Sequence, residues 1–220
     1  MSLKPIILHG SLIGANPWKV AMIINELEVP YEINSFPFSE IKKEPYISLN
    51  PNGRTPAIED PNTGIILWES GAIIEYLVET YDKEHKISFQ AGTPEYYHAK
   101  QYLYFQVSGQ GPYFGQSIWF REFHPEKIAS AQERYKNEAL RVSGVLNGIL
   151  KDREYLVGGK YTYADGSFVA WYEAWGRIVG DGVDMEQEFP NLHAWLKRLR
   201  ERPAIVKAIQ ARAEECVRLP

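Results

Sequence analysis

The chain has 220 residues, 45% of them hydrophobic, and a formal net charge of −4. That length builds a sizeable core in one large domain or two smaller ones, and the apolar content excludes a disordered chain. The mild charge gives no basis for a nucleic-acid or anionic-membrane partner, no apolar run reaches the ~18 residues of a membrane span, and a single cysteine, Cys216, cannot form an internal disulfide, which points to a reducing, cytoplasmic setting.

Pro5-Ile6-Ile7-Leu8 reads as a short buried strand, and His9 to Asn16 as a loop. Pro17 suits the first turn of a helix with Asn16 as its N-cap. Val20, Ile23, Ile24 and Leu27 then recur at helical spacing. Tyr31 to Phe36 alternates as a second strand. A strand that follows a helix at this distance runs parallel to the first. Ser39 to Ser48 is polar, with a short helical turn at best. Ala57-Ile58-Glu59-Asp60 and Ile65-Ile66-Leu67-Trp68 flank a Pro-Asn-Thr-Gly turn, a hairpin signal. Ser70 opens a helix with Ile73, Ile74, Leu77 and Val78 on one face. This order, β-α-β and then β-β-α, predicts a thioredoxin-like α+β domain over residues 1–81.

The charged run Asp82-Lys83-Glu84-His85-Lys86 marks a linker over residues 82–93. Beyond it no strand pair is evident, and residues 94–220 read as an all-helical domain. Thr93-Pro94-Glu95 starts an aromatic helix that Gly109-Gln110-Gly111-Pro112 is expected to bend or interrupt. Pro125 is expected to begin a long helix with a stripe from Ile128 through Val142 to Ile149. Thr162, three residues before Asp165, pairs a cap hydroxyl with an acid, a short relative of the capping box. The helix it opens carries Phe168, Trp171, Tyr172 and Trp175, a buried pattern. Two further helices are expected, Phe189 to Leu199 and Pro203 to Cys216.

The chemistry concentrates in Asn50-Pro51-Asn52-Gly53-Arg54-Thr55-Pro56 and in Trp68-Glu69-Ser70-Gly71. Pro56 removes a backbone donor at the mouth of a strand, and X-Pro is the one bond type where cis is cheap. The backbone of Thr55 is then left to pair with an extended ligand. Ser70 is a good N-cap, and a helix start offers N–H groups to an anion. An Arg, an open strand edge and a helix N-terminus in one stretch suit an acidic, peptide-like small molecule. Plainer readings stand beside these: Asn16 and Ser70 as caps, Arg54 and the Lys42-Lys43 pair as solvated charges. The five histidines show no ligand spacing, so no metal is expected.

A thioredoxin-like half with NPNGRTPAI and WESGAI, followed by a helical half, resembles the cytosolic glutathione transferases. It is most like the fungal and bacterial subgroup that includes the folded domain of the yeast nitrogen-regulating prion protein. Ala15-Asn16-Pro17-Trp18-Lys19-Val20 resembles that subgroup's first-helix motif, and Gly109-Gln110-Gly111-Pro112 with Gly115-Gln116 its second-domain motif. The resemblance implies that Glu69 and Ser70 hold the γ-glutamyl end of glutathione. It implies that Thr55, before a cis Pro56, pairs with the cysteinyl unit, and that Arg54, helped by Lys42 or Lys43, meets the glycyl carboxylate. Asn16 would sit beside the thiol, with Ser11 as the rival contact. Tyr104, Tyr113 and Trp119 would line the pocket of an apolar electrophile or small disulfide.

The resemblance implies conjugation for detoxification, or disulfide reduction by bound glutathione, in a homodimer with no metal. The rival readings are a glutathione-binding regulator and a protein-interaction module. The chain lacks the first-loop Tyr and the helix-start Cys of many relatives. A thiol of pKa ~8.5 is only a few per cent ionised at neutral pH. Lowering that value by about two units needs roughly 2.7 kcal/mol of selective anion stabilisation. The dipole of the first helix and a donor hydrogen bond from Asn16 are the sources this chain offers.

Overall fold

The computed structural model describes residues 2–11 and 13–218. Two compact units are present, residues 1–90 with 201–220, and residues 91–200.

In the first unit, β1 (Ile6–Gly10), α1 (Ala15–Glu26) and β2 (Tyr31–Ser35) form the right-spaced crossover that makes β1 and β2 parallel, with Leu8 opposite Ile33. A single helical turn, α2 (Tyr46–Leu49), precedes β3 (Ala57–Asp60) and β4 (Ile65–Trp68). β3 runs antiparallel to β1, and β4 antiparallel to β3, giving the order β2-β1-β3-β4. α3 (Ser70–Tyr81) follows and packs on α1. The βαβ-ββα reading of the sequence holds, with its hairpin strands at the expected residues.

Burial on α1 exceeds the stripe of Val20, Ile23 and Ile24, since Trp18, Lys19, Ala21 and Met22 are also enclosed. The reason is the last helix, α11 (Pro203–Arg218), which packs on α1. Arg202 grips Glu26 with two hydrogen bonds of 2.6 and 2.8 Å, a planar fork on a carboxylate. Asn25 Nδ2 donates to the Ala204 carbonyl at 3.1 Å. Residues from Glu201 onward therefore return to the first unit, whereas the sequence pattern placed them with the other helices.

In the second unit, α4 (Pro94–Phe105) and α5 (Gly111–Ile118) are joined by a π-helical turn, Gln106–Gln110, and a second π turn, Trp119–Phe123, ends the run. The Gly-Gln-Gly-Pro stretch thus widens the helix instead of interrupting it. A π turn accommodates the missing N–H of Pro112 without a stop. Gln106 and Gln110 bond to each other inside it, and Gln110 Nε2 donates to the Phe168 carbonyl. The long helix α6 (Ala129–Ile149) begins four residues later than Pro125 suggested. α7 (Tyr163–Tyr172) is buried, and Trp175 opens a separate short helix, α8 (Trp175–Val179). α9 (Met185–Glu188) and α10 (Pro190–Arg200) complete the unit. Phe114, Phe168, Tyr172 and Trp195 form its aromatic centre, with Phe114 edge-on to Tyr172. Among the described residues no helix is long and apolar enough to cross a membrane.

Candidate functional site

The first unit brings the start of α1 and the mouth of β3 together. α1 starts at Ala15, with Gly14 in the cap position and no side-chain cap. This corrects the reading of Asn16 as the N-cap. Asn16 lies inside the first turn and is partly exposed. The Thr55–Pro56 bond is cis. Thr55 stands outside the strand pairing, which starts at Ala57. Two glycines bring these pieces into contact. A Cβ on Gly10 would lie 2.9 Å from Thr55 Cβ and 3.5 Å from Pro17 Cγ. One on Gly14 would lie 3.7 Å from Pro17 Cδ and 3.8 Å from Thr55 Oγ1. The start of α1 and Thr55 are thus neighbours, and a side chain at Gly10 would separate them.

α3 begins in a related way. Its cap residue is Glu69, at φ 71°, and Ser70 is the first helical residue; no side chain caps the start. The expectation of Ser70 as N-cap is corrected by one residue. Ser70 is 7% exposed and Glu69 is exposed. The positive φ of a glutamate is uncommon and is compatible with the turn from strand β4 into α3.

The loop before Thr55 is held by residues that the sequence pattern did not single out. The Arg54 carbonyl accepts from Tyr46 Oη at 2.7 Å and from Asn50 Nδ2 at 2.6 Å. Buried Asn50 also takes the Asn52 N–H on its side-chain oxygen. With its backbone pinned, Arg54 keeps an exposed side chain. Gly53, at φ 59°, sits against Lys42: a Cβ there would meet Lys42 Cγ at 3.2 Å and the Ile41 carbonyl at 3.1 Å. Lys42 is therefore beside the Arg54 loop, whereas Lys43 is turned to Glu40 at 3.0 Å. Asn-Pro in the sequence is the only local hint of the Asn50 role.

Ser11 is fully buried, and its hydroxyl has no hydrogen-bond partner among the described residues. Its carbonyl accepts from Gly14 N at 3.3 Å. A further polar group, Lys19 on α1, is 1% exposed. Burial lowers its pKa to about 7, against the opposing charge of Glu69. On the sheet, His9 meets Asn34 through Nδ1 at 3.1 Å and lies 2.9 Å from Glu59 through Nε2. Burial holds the His9 pKa below its ordinary value, and Glu59 works against that shift.

Two models describe known relatives of this geometry. The glutathione S-transferase N-terminal domain model matches residues 8–85, and the C-terminal domain model matches residues 80–203. The chain belongs to the glutathione S-transferase family. It is 48% identical to the glutathione S-transferase-like protein gedE of Aspergillus terreus, over 95% of this chain and 96% of that one. The glutathione transferase URE2P8 of Phanerochaete chrysosporium, solved with oxidized glutathione, is 44% identical and superposes with a TM-score of 0.94, covering 97% of each chain. Ure2p5 of the same fungus, cocrystallized with 1-(S-glutathionyl)-2,4-dinitrobenzene, is 39% identical with a TM-score of 0.90, covering 99% of this chain and 98% of that one.

The transferase carries the three expected aromatics in its second unit. Tyr104 on α4 is 57% exposed and Trp119 in the second π turn is 47% exposed, while Tyr113 on α5 is half-buried. Trp119 stacks on Phe123, with ring centroids 6.1 Å apart. Phe123, itself exposed, extends the apolar surface of this glutathione transferase beyond the residues that spacing alone picks out.

Proposed function

We propose that this glutathione transferase binds glutathione in its first unit, ionises the thiol and passes the sulfur to an apolar electrophile. The observation that carries this reading is the contact of Thr55 with the start of α1 through Gly10 and Gly14, in a unit that holds a second helix start without a side-chain cap at Ser70. Helix starts present N–H groups and a positive dipole end to anions. Ser70 takes the γ-glutamyl carboxylate by its hydroxyl and N–H, and Glu69 pairs with the α-amino group. The backbone of Thr55 pairs with the cysteinyl unit, and Pro56 shapes that turn. Arg54 meets the glycyl carboxylate with help from Lys42.

Asn16 donates its side-chain N–H to the sulfur. It has no basic group, so the thiol proton leaves to solvent and the amide and helix stabilise the thiolate that remains. Partial exposure of Asn16 and full burial of Ser11 support Asn16 as the residue in reach of the ligand. The thiolate then attacks an electrophilic carbon: a C–S bond forms, and the leaving group departs with its electron pair. Attack on a disulfide sulfur is the second reading, forming a mixed disulfide and expelling the other thiolate. It rests on the relative that was solved with oxidized glutathione, whereas the conjugate bound to Ure2p5 favours the first. Both readings set catalysis above a purely regulatory role. Tyr104, Tyr113 and Trp119 present the apolar surface that the second substrate meets. A homodimer would bury one face of the helical unit.

Calorimetry with millimolar glutathione tests the reading. Binding heat is expected, together with turnover of a chlorodinitrobenzene-type electrophile that exceeds turnover of a mixed glutathione disulfide. No heat at that concentration refutes it, and the reverse preference moves the assignment to disulfide exchange.

A further inference from the structure

The last helix holds α1 at both ends. Arg202 and Ala204, where α11 begins, meet Glu26 and Asn25, where α1 finishes. Ten residues after Arg202, roughly 15 Å along a helix, Arg212 Nη2 donates to the Ile13 carbonyl at 3.2 Å. α11 therefore runs antiparallel to α1. Ile13 lies between β1 and α1, one residue before the cap position at Gly14. Ile205 and Ala208 are fully buried on α11, and helical spacing carries that stripe on to Arg212. An aliphatic side chain there would extend the packing on α1; the long arginine reaches past the end of α1 to the loop instead. The residues next to α1 have little hold of their own. Ile13 is 39% exposed, and Gly14 brings no side chain to cap the helix.

We propose that Arg212 is a positioning residue for the sulfur of glutathione: by holding the Ile13 carbonyl, it fixes the turn that aims the first N–H groups of α1 and the Asn16 amide. The proposal rests on the reading of Asn16 and the start of α1 as the thiolate site. Donors and dipoles stabilise a charge only in the place they are aimed at, so a loosened turn forfeits part of the effect. The Arg212 bond is solvent-exposed and contributes little to stability. The fork of Arg202 on Glu26, whose side chain is 8% exposed, is the stronger anchor, and it lies at the end of α1 away from the thiol. The two arginines thus separate holding the helix from holding its start.

The test compares the unsubstituted chain with Arg212→Met, Arg212→Lys and Arg202→Met. The measurements are thermal melting, ultraviolet titration of the thiol of bound glutathione, and kcat against pH with a chlorodinitrobenzene-type electrophile. Arg212→Met is expected to raise the thiol pKa of bound glutathione by about half a unit, so that below that pKa kcat at saturating glutathione falls roughly threefold. The deficit is expected to close at alkaline pH, where both chains hold the full thiolate. Arg212→Lys keeps a donor for the Ile13 carbonyl and is expected to recover most of the difference. Arg202→Met is expected to melt lower than Arg212→Met and yet to leave the thiol pKa within about 0.2 unit, because it frees the other end of α1.

An unchanged thiol pKa in Arg212→Met overturns the proposal, as does a kcat deficit that persists at alkaline pH. A thiol shift of the same size in Arg202→Met overturns it by showing that the packing of α11 as a whole sets the site. An Arg212→Met chain that fails to fold, or an Arg212→Lys chain as impaired as Arg212→Met, also overturns it. Absence of binding heat when glutathione is added to the unsubstituted chain is a separate result: it overturns the glutathione reading, and this proposal with it.

Discussion

The start of α7 and the starts of α1 and α3 are built in opposite ways. At α7, one buried carboxylate collects four donors. Asp165 accepts from Leu156 N, Thr162 N and Thr162 Oγ1 at 2.9 Å each, and from Trp195 Nε1 at 3.0 Å. Burial still raises the Asp165 pKa, and those hydrogen bonds oppose the rise. At α1 the cap residue is a glycine, and at α3 it is a glutamate turned into the left-handed region; neither supplies a capping side chain. A helix start saturated from within is a structural joint. One left without a capping side chain has donors for an anion from outside.

The comparison breaks first at Asp165. Asp165→Ala removes an acceptor from four buried donors and is expected to cost about 3–5 kcal/mol, read in urea unfolding. The protein that remains folded is expected to keep its KM for glutathione. A large KM change with unaltered stability would make α7 part of the site and end the contrast.

At α1, Asn16→Ala is expected to lower kcat/KM by roughly 30-fold, about 2 kcal/mol, and to raise the thiol pKa of bound glutathione. Ultraviolet titration of the thiolate measures that shift.

Ser70 and Thr162 then form a matched pair of hydroxyls at two helix starts. Ser70→Ala is expected to raise the glutathione Kd by about tenfold with stability within ~0.5 kcal/mol. Thr162→Ala is expected to do the reverse, costing about 1–2 kcal/mol of stability with Kd unchanged. Equal stability losses in the two would show that Ser70 is a structural residue like Thr162.

The smallest effect is expected at Ser11. Ser11→Ala removes a buried hydroxyl with no partner among the described residues, so stability should be unchanged or slightly higher, with turnover lowered less than about threefold. A turnover loss larger than that of Asn16→Ala would transfer the thiol contact to Ser11.

Most of the first unit was legible in the residues. Period-two and period-3.6 patterns are local, and Pro-Asn-Thr-Gly, Pro56 and Ser70 mark element ends within a residue or two. The misplaced boundaries have local causes as well. Asn16 and Ser70 are good caps by type, but Gly14 and Glu69 take the cap positions, Glu69 where the chain turns out of β4. The π turn at Gln106–Gln110 was hidden, since Gly and Pro normally end a helix, and here two buried glutamines support continuation.

Sequence by itself determined the order of elements, the parallel pairing of β1 with β2 and the β3–β4 hairpin, because each follows from neighbours along the chain. Tertiary structure alone decided that the last helix covers α1, that Tyr46 and Asn50 hold the Arg54 loop, and that Lys19 is buried. Those pairings join residues that no spacing relates. Whether a lysine is a solvated charge or a buried one depends on what distant segments place around it.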